Sequence, residues 1–384
     1  VRLKRLKPAG AHRLVLVAGR PSHGPGEHEF NAGVKLIQKC LQGVAGLQVD
    51  AYYNGWPRDP SAFDEADGIL FYMDGGKGHP VAQGDHLQII GNLARKGVGV
   101  GFAHYAVEVA NGAPAFVLLD LIGGYYEDGV STNPHWIAEI EKLPKHPVTR
   151  GVQPFAVGDE WYFNIHFREG MTGITPILVA KPSDETRQGK SSSPRGPHPH
   201  IVAASGREEV LMWTTERPDG GRGFGFTGGH SHVNWGNDNF RKLFLNALLW
   251  ISKIDPPADG VFSTVTQEEL QENLDPKGRP ARPAPVVNLS GDWQFNVETT
   301  VGKGEPVFTF QQTGDKLSGT YKGQLGEAPL TGLVKGNEAK WTFTVRMNEQ
   351  DVLVSYAGKI DGPGKMSGKV QIGDAGDGTW TAKK

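Results

Sequence analysis

The sequence has very little cysteine and no excess of charge of either sign. Of its 384 residues only Cys40 is a cysteine, and one thiol can form neither an internal disulfide nor a thiolate metal cluster. The 40 Lys and Arg residues nearly balance the 42 Asp and Glu residues, so the formal net charge is −2. A chain without a basic excess releases few counterions from a phosphate backbone, which excludes nucleic acid as its main partner.

Long apolar runs are also missing. The most apolar stretches, residues 68–73 and 98–103, are much shorter than the roughly 20 residues that a membrane-spanning helix needs, so we expect no membrane span. The chain starts at Val1 without a methionine, as a protein does after removal of a signal peptide. This favours a periplasmic or secreted location, although an arbitrary chain boundary would produce the same start.

Glycine, in contrast, is abundant. The chain has 53 glycines, about 14% of its residues, where roughly 7% is usual. They show no Gly-X-Y period, which excludes collagen, and their spread indicates many tight turns and close backbone approaches. With 38% apolar and 21% charged residues, the chain is expected to be globular and to bury a sizeable core.

Residues 12–254 alternate short apolar runs, typical of buried strands, with segments of helical spacing. The predicted strands cover residues 12–18, 47–53, 66–73, 97–104 and 223–228, and the predicted helices cover 31–41, 79–96 and 239–253. Such alternation is typical of an α/β domain whose mostly parallel sheet is covered by helices on both faces. Residues 133–166 depart from the pattern and predict an irregular insertion or lid.

The end of the chain has a different pattern. Residues 255–285 are rich in proline and predict a linker, with one short helix that Thr266 caps. Residues 286–384 contain short alternating runs separated by glycine turns, which predict an antiparallel all-β domain, either a small barrel or a sandwich. The chain is therefore expected to consist of an α/β domain at 1–254, the linker and the all-β domain.

Four segments that follow predicted strands are rich in histidine. Ligands of parallel sheets bind at the carboxyl ends of the strands, so residues 19–28, 74–79, 104–108 and 228–235 are expected to meet at one rim. These segments contain six of the 13 histidines, namely His23, His28, His79, His104, His230 and His232. This clustering is the strongest indication of function that the residues themselves provide.

Motifs in this region resemble a known family. The segments GRPSHGPGEHEFNAG, YMDGGKGHP, GFAHYAVE, NPHW, DEWYF and GFGFTGGHSHVNWGNDNFRKLFLNALLWI resemble, in this order, secreted bacterial proteins of the trehalose-utilisation (ThuA-like) family. The resemblance covers residues 12–254 and implies a flavodoxin-like sheet, the fold of class I glutamine amidotransferases, and a function on sugars. Residues 286–384 resemble small β-domains that some environmental bacteria append to secreted enzymes.

One departure from the amidotransferases is informative. Those enzymes carry a cysteine nucleophile at a sharp strand-to-helix turn, but this chain carries His104 at that turn. Cys40 lies in a predicted helix among apolar residues, where a buried structural role is expected. This excludes glutamine hydrolysis through an acyl-enzyme, so any chemistry must use acids, bases or a metal.

Four residues are candidates for proton transfer. His104, at the tip of its turn, should project into the rim as a general base or a metal ligand. Glu108, four residues later, would lie one helical turn beneath it and orient its imidazole, or else be a solvated charge. Glu160 has apolar neighbours that would raise its pKa and suit it to the role of acid. His232 is the alternative acid, or a cap of the following helix.

Metal binding has candidates as well. A divalent metal ion is predicted at the rim, with ligands from His23, His28, His104 and His230, although no local motif such as HExxH supports it. Hydrogen bonding of these residues to sugar hydroxyls without a metal is the alternative. The glycine pattern at 221–226 lies inside a predicted strand and does not open a helix, so no nucleotide cofactor is expected.

Two groups of residues are candidates for substrate binding. The turn Asp74, Gly75 and Gly76 could polarise a carbonyl with its N–H groups or serve only as a tight turn. Aromatic faces that could stack on a sugar ring, or could instead pack the lid, are those of Trp136, Trp161 and Trp235.

The resemblance implies a carbohydrate-active enzyme, and we expect its substrates to be 3-keto glucosides made from disaccharides. A C3 carbonyl acidifies the C2 proton, so a base can remove that proton while the glycosidic oxygen leaves C1, and water then adds back. A metal-dependent hydrolase of unmodified glycosides or esters is one alternative, although only Glu108 and Glu160 are placed to serve as its paired carboxylates. A non-catalytic carbohydrate-binding protein is the other. A small-molecule or oligosaccharide substrate is the expected partner. The sequence leaves open whether the chain forms a homo-oligomer.

Overall fold

The computed structural model describes residues 7, 10–189, 198–278, 288–335, 337–347, 350–362, 364–373 and 375–384. The chain divides into two compact units, Val1–Gly278 and Arg279–Lys384. The end of the predicted linker and the first two residues of the predicted all-β domain lie outside the described residues. Among the described helices, none combines the length and the apolar character that crossing a membrane requires.

The first unit contains eleven strands and seven helices among its described residues. The strands are β1 (His12–Ala18), β2 (Leu47–Tyr52), β3 (Gly68–Tyr72), β4 (Gly99–Ala103), β5 (Gly124–Tyr125), β6 (His135–Ile140), β7 (Phe155–Glu160), β8 (His166–Phe167), β9 (Ile174–Ala180), β10 (Glu209–Glu216) and β11 (Arg222–Phe226). The helices are α1 (Phe30–Cys40), α2 (His86–Arg95), α3 (Ala113–Ile122), α4 (Asp184–Gln188), α5 (Pro199–Ala203), α6 (Asp238–Ile251) and α7 (Gln267–Leu270).

Seven of these strands form one mostly parallel sheet, in the order β2-β1-β3-β4-β11-β10-β9. Strands β2, β1, β3, β4 and β11 are parallel, whereas β10 is antiparallel to both of its neighbours. This arrangement confirms the predicted α/β fold. Residues at alternate positions of β1 enter two separate cores, because successive side chains point to opposite faces. Leu14 and Leu16 pack with residues of α1 and α6, while Val15 and Val17 pack with residues of α2 and α3.

Glycine in the central strands allows the helices to pack close to the sheet. A Cβ added to Gly99 would come within 2.0 Å of the Ile251 carbonyl oxygen at the end of α6. A Cβ on Gly68 would come within 2.5 Å of the Ser252 hydroxyl. The excess of glycine in these strands therefore reflects direct contact between the sheet and the backbone that ends α6.

Two local predictions are wrong in detail. The helix predicted over 79–96 is a 3₁₀ turn at Pro80–Ala82 followed by α2, and Gly84, with φ +56°, separates the two. A left-handed residue at this position cannot continue a helix. The insertion predicted as irregular contains a regular hairpin, in which β6 pairs with β7 from His135 to Glu160.

The second unit is a closed antiparallel barrel. Its strands are β12 (Gly291–Thr299), β13 (Gly302–Gly304), β14 (Val307–Thr313), β15 (Lys316–Gly323), β16 (Gly326–Lys335), β17 (Glu338–Met347), β18 (Gln350–Gly362), β19 (Lys365–Ile372) and β20 (Gly376–Lys383). Strand β12 pairs with both β14 and β20, which closes eight strands into a ring, and β13 is a short extra strand beside β12. The structure therefore decides between the two predicted architectures in favour of the barrel.

The barrel follows the alternation of its sequence. Along β17, Trp341, Phe343 and Val345 are buried and the residues between them are exposed. The buried set is apolar and aromatic, and rings from neighbouring strands meet in the interior, such as Trp341 of β17 with Tyr356 of β18 at 5.3 Å between centroids. The core is thus filled by large side chains, as is usual for small barrels.

Candidate functional site

The loops that follow the parallel strands bring the rim histidines together. His28 lies in the loop after β1, His104 directly follows β4, and His230 follows β11. Glu160 is the last residue of β7 and reaches the same place from the hairpin. All four side chains are buried, and their ligand atoms lie within 4.8 Å of one another. We call these four residues the rim tetrad.

The hydrogen bonds of His104 fix which ring nitrogen carries its proton. The ring is fully buried, and its Nδ1 lies 3.0 Å from the carbonyl oxygen of Thr227. A carbonyl oxygen only accepts, so Nδ1 carries the hydrogen and Nε2 presents a lone pair to the centre of the tetrad. The backbone of His104 is left-handed, with φ 54°, which is a strained conformation for a residue with a Cβ.

His28 is oriented in the same way by a carboxylate. Its Nδ1 donates to Asp74 Oδ1 at 2.8 Å, which leaves Nε2 unprotonated. This Nε2 lies 3.0 Å from His104 Nε2 and 3.0 Å from His230 Nδ1. The carboxylate–histidine arrangement is typical of metal ligands, because it fixes the ring and increases its basicity.

His230 and Glu160 complete the group. His230 Nδ1 lies 3.1 Å from Glu160 Oε2 and 3.3 Å from His104 Nε2. Glu160 Oε2 lies 3.5 Å from His104 Nε2, while its Oε1 accepts a hydrogen bond from Asn133 Nδ2 at 3.1 Å. One carboxylate oxygen is thus held from outside and the other faces the centre.

The dimensions of the tetrad fit a tetrahedral metal ion. The separations given above between facing ligand atoms run from 3.0 to 3.5 Å. Zinc-to-nitrogen bonds of about 2.0–2.1 Å imply ligand atoms roughly 3.3 Å apart at the corners of a tetrahedron. Three imidazole nitrogens and one carboxylate oxygen form a donor set that suits zinc and related transition metals.

Asp159, which the sequence analysis did not single out, anchors two members of the tetrad. Its buried carboxylate accepts backbone hydrogen bonds from Gly229 at 2.7 Å and Ser231 at 3.0 Å, on either side of His230. It also accepts from the N–H of Glu160 at 3.0 Å. Burial raises the pKa of Asp159 despite these bonds. The sequence does contain a signal for this residue, because Asp159 directly precedes Glu160. Successive side chains of a strand point to opposite faces, so one acid of such a pair can face the site while the other supports it from behind.

A segment after α6 braces the loop that carries His28. The backbone N–H of Asp275 donates to Glu29 Oε2 at 2.8 Å, and Lys277 Nζ donates to the His28 carbonyl oxygen at 3.1 Å. Lys277 also lies 3.6 Å from Glu29 Oε1, and both of these side chains are buried. This part of the predicted linker, up to Gly278, belongs to the first compact unit.

Burial and neighbouring charges shift the pKa values of the rim. Burial and the nearby histidines lower the pKa of both His28 and His104. For His230 burial acts in the same direction, but the carboxylates of Glu160 and Asp159 outweigh it and raise the pKa. His79 lies outside the tetrad, donates from Nε2 to the Ala106 carbonyl oxygen, and has its pKa lowered by burial to about 4.

Two exposed histidines flank the tetrad. His23, predicted as a ligand, lies outside the four: its ring stacks on His28 at 3.6 Å, and its Nδ1 is 3.9 Å from Asp74 Oδ1. His135, at the start of β6, has its Nε2 4.0 Å from Glu160 Oε1. Both rings are accessible, with 41% and 56% of their side-chain surface exposed, unlike those of the tetrad.

Two predicted catalytic residues lie elsewhere than expected. The 3₁₀ turn His104–Val107 ends before Glu108, which is extended, so the expected position one helical turn beneath His104 is wrong. The Thr227 carbonyl orients that imidazole. His232 is buried at the start of a 3₁₀ turn, where its backbone N–H donates to the Gly26 carbonyl, and its ring is not part of the tetrad.

The predicted glycine turn packs against the His104 turn. A Cβ on Gly75 would lie 2.0 Å from the Tyr105 carbonyl oxygen, which explains the need for glycine. The N–H of Gly76 donates to the Glu108 carbonyl at 2.9 Å and is therefore engaged within the protein. Asp74, in contrast, reaches the site through its hydrogen bond to His28, and burial raises its pKa.

The tryptophans predicted to bind sugar mainly pack the core. Trp161 and Trp235 are 0% and 1% exposed and contact Phe240, so neither offers a face to a ligand. Trp136 is half-buried, and its Nε1 donates to the Trp161 carbonyl at 3.0 Å. These residues support the hairpin that carries Glu160.

The fold and the site together define a class of protein, an α/β unit with a histidine-rich site at the carboxyl ends of its parallel strands. The trehalose-utilisation family, ThuA, matches residues 15–251, which is more than half of the chain, and the chain belongs to this family. No curated protein matches the chain.

Solved structures are similar to each unit. A ThuA-like protein from Bacteroides uniformis is 16% identical and matches 64% of this chain and 94% of its own, with a TM-score of 0.42. A redesigned β-barrel is 16% identical over 25% of this chain and 90% of its own, with a TM-score of 0.23. The fatty-acid-binding protein of Manduca sexta is 12% identical over 25% of this chain and 98% of its own, with a TM-score of 0.17.

Proposed function

We propose that this protein is a divalent-metal-dependent, carbohydrate-active enzyme that cleaves the glycosidic bond of 3-keto glucosides by elimination and hydration. The rim tetrad is the observation that carries the proposal. Family membership supplies the connection to trehalose utilisation, and the tetrad supplies a centre at which a sugar carbonyl could be activated.

Two lone pairs face each other in the tetrad, and a cation bound between them would stabilise this arrangement. The Nε2 atoms of His28 and His104 lie 3.0 Å apart, and the Thr227 carbonyl and the Asp74 carboxylate hold both protons on the opposite nitrogens. Without a cation between them these electron pairs would repel each other in a buried site, where charges are weakly screened. The carboxylate of Glu160 adds a negative charge to the same centre.

The reaction needs a base, an acid and a group that stabilises negative charge on the carbonyl oxygen. A divalent ion held by residues of the tetrad, with one coordination position left for the carbonyl oxygen, would supply the third of these as a Lewis acid. The base removes the C2 proton, the C1–O bond breaks as the leaving oxygen takes a proton, and water then adds across the new C1–C2 double bond, with its hydroxyl on C1 and its hydrogen on C2. The net reaction is hydrolysis.

The proton-transfer roles belong to residues that a substrate can reach. His104 is fully buried, and its Nε2 faces the tetrad and the Tyr162 hydroxyl 3.2 Å away, so we assign it to the metal and not to the base role expected from the sequence. We assign proton transfer to the exposed pair, His23 beside Asp74 and His135 beside Glu160. His23 stacks on His28, whereas His135 lies beside Glu160, so the two proton-transfer groups adjoin different members of the tetrad.

Metal analysis and a turnover assay test this proposal. The purified chain should hold one divalent ion, which His28→Gln should lose, while His166→Gln, a change of an exposed histidine that pairs with Glu127, should retain it. Glucose release from 3-keto trehalose should fall at least about 100-fold after chelation and return when the metal is restored.

Parallel assays separate the alternatives. Turnover of unmodified trehalose or of simple esters, but not of the 3-keto sugar, would replace the proposal with a metal-dependent hydrolase. Sugar binding with no turnover of any of these compounds, and no bound metal, would instead identify a carbohydrate-binding protein.

A further inference from the structure

A cavity of about 840 Å³ lies beside the rim tetrad, and none of the roles above uses it. The ends of β1, β2 and β3 and the loops that follow them form its walls, so it occupies the position at which parallel sheets bind ligands. Asp74 lines the cavity and also contacts the tetrad, because its carboxylate accepts the hydrogen bond from His28 Nδ1. A molecule bound at the tetrad could therefore extend into this space.

The charged groups that line the cavity are positive on balance. Its charged lining residues are Arg20, Arg58 and Asp74, so the formal sum is +1 with neutral histidine. Asp74 is engaged by His28. Among the described residues, no carboxylate forms an ion pair with Arg20 or Arg58, and both side chains are exposed. Free guanidinium groups at a cavity are suited to paired hydrogen bonds with a carboxylate or a phosphate.

The cavity also has a flat aromatic wall. The rings of Trp56 and His86 stack 3.8 Å apart at an angle of 7°, and Trp56 lies parallel to the buried Phe71 behind it. The Nδ1 of His86 donates to the Pro80 carbonyl at 2.6 Å, so its ring is fixed. A cavity lined by aromatic side chains together with a few charged groups has the composition of a small-molecule site.

The backbone that carries the two arginines is held in place. The loop before Arg58 is fastened by Asn31, whose side chain exchanges hydrogen bonds with Asn54 at 3.0 and 3.2 Å. Next to Arg20, the N–H of Gly19 donates to the Tyr72 carbonyl at 2.8 Å. A cavity formed by anchored backbone binds a ligand with little ordering cost.

We infer that this cavity binds the second half of the substrate through an acidic substituent, a carboxylate or a phosphate, so that the preferred substrates are anionic glycosides. The inference rests on the proposed function for the identity of the reacting half, but the binding of the acidic half requires only the cavity. Arg20 and Arg58 then determine specificity and take no part in the chemistry at the tetrad.

Binding measurements test the cavity separately from catalysis. Titration calorimetry of the full chain with glucuronate, glucose 6-phosphate and glucose should show the acidic sugars binding on the order of tenfold or more tightly than glucose, with the preference weakening as salt is added. Comparison of glucuronate with glucose 6-phosphate identifies which acidic group is preferred. Inorganic phosphate alone should compete with the preferred sugar.

Variants show which residues cause the preference for acidic sugars and separate this preference from the proposed function. The double variant Arg20→Gln/Arg58→Gln should lose the preference, while Arg95→Gln/Lys96→Gln, which removes the same charge from exposed positions at the end of α2, should keep it. His104→Gln should lose metal but still bind the acidic sugar. Binding at the cavity can therefore be tested even if the function proposed for the tetrad is wrong. Equal affinity for glucose and the acidic sugars, or an unchanged preference in the Arg20/Arg58 variant, would overturn the inference.

Discussion

The two units of this chain bury different kinds of side chain. All 13 histidines precede residue 233, and the sequence from 286 to 384 contains none. The described part of the barrel buries no charged, hydroxyl or amide side chain other than tyrosine hydroxyls, whereas the α/β unit buries a rim of histidines and carboxylates. Burial of apolar groups stabilises a fold, while burial of ionisable groups costs stability unless they are paired. The comparison indicates that one unit is built for stability and the other gives up stability for a site.

The largest effect should come from the core of the barrel. Trp341 is 1% exposed and contacts Phe310, Tyr356 and Trp380, so Trp341→Ala should lower the free energy of unfolding of the barrel by about 3–5 kcal/mol. Denaturant unfolding of the full chain, followed by tryptophan fluorescence, measures this change. Trp341→Phe should cost less. A loss of metal from the tetrad in Trp341→Ala would contradict the division of roles between the units.

Acid should destabilise the α/β unit and leave the barrel nearly unchanged. His79 has its pKa lowered to about 4 in the folded protein, against 6.5 when unfolded. As pH falls from 6.5 to 4, only the unfolded state takes up this proton, so stability is lost over that range and the loss levels off below pH 4. The difference of about 2.5 pH units, at about 1.4 kcal/mol each, gives roughly 3 kcal/mol.

Calorimetry between pH 7 and pH 4 checks this expectation. The transition of the α/β unit should move to lower temperature, and His79→Gln should reduce its dependence on pH. Since the barrel contains no histidine, an equal shift of its transition would contradict the comparison.

A smaller effect is expected at Asp159, which supports the tetrad without contacting its centre. In Asp159→Asn, one carboxylate oxygen that accepts backbone hydrogen bonds beside His230 becomes an amide nitrogen that cannot accept them. The metal affinity should fall about 10–100-fold, with the fold retained. Competition with a chelator measures this affinity, and Asp184→Asn, on the exposed first turn of α4, is the control. An unchanged affinity would show that Asp159 does not position the tetrad.

The sequence predicted the fold well because its periodicities are local. The buried strands β1, β3 and β4 and the alternating strands of the barrel all follow directly from apolar spacing. The helix predicted over 79–96 is interrupted because Gly84 adopts a left-handed conformation, which the apolar spacing does not reveal. The choice between barrel and sandwich depended on the pairing of β12 with β20, which joins residues 79 to 89 positions apart in sequence.

The site was predicted only in part, for a physical reason. His28, His104 and His230 follow strands of the parallel sheet, so topology alone brings them to one rim. Glu160 arrives from a separate hairpin, and its approach depends on tertiary packing that includes the burial of Trp161 against Phe240. The same packing accounts for the tryptophans that were expected to bind sugar. Ring orientation at His104, set by a carbonyl 123 positions later, has no signature in the sequence.

The left-handed backbone at the rim has a consequence for how this protein would respond to selection. His23, His28 and His104 have φ values of 58°, 45° and 54°, a region in which glycine is more stable than any residue with a Cβ. Selection for thermal tolerance alone should therefore favour glycine at His23, which is exposed, whereas glycine at His28 or His104 would also leave a cavity in the buried rim. Histidine would be retained at all three positions only where selection still requires the function of the site.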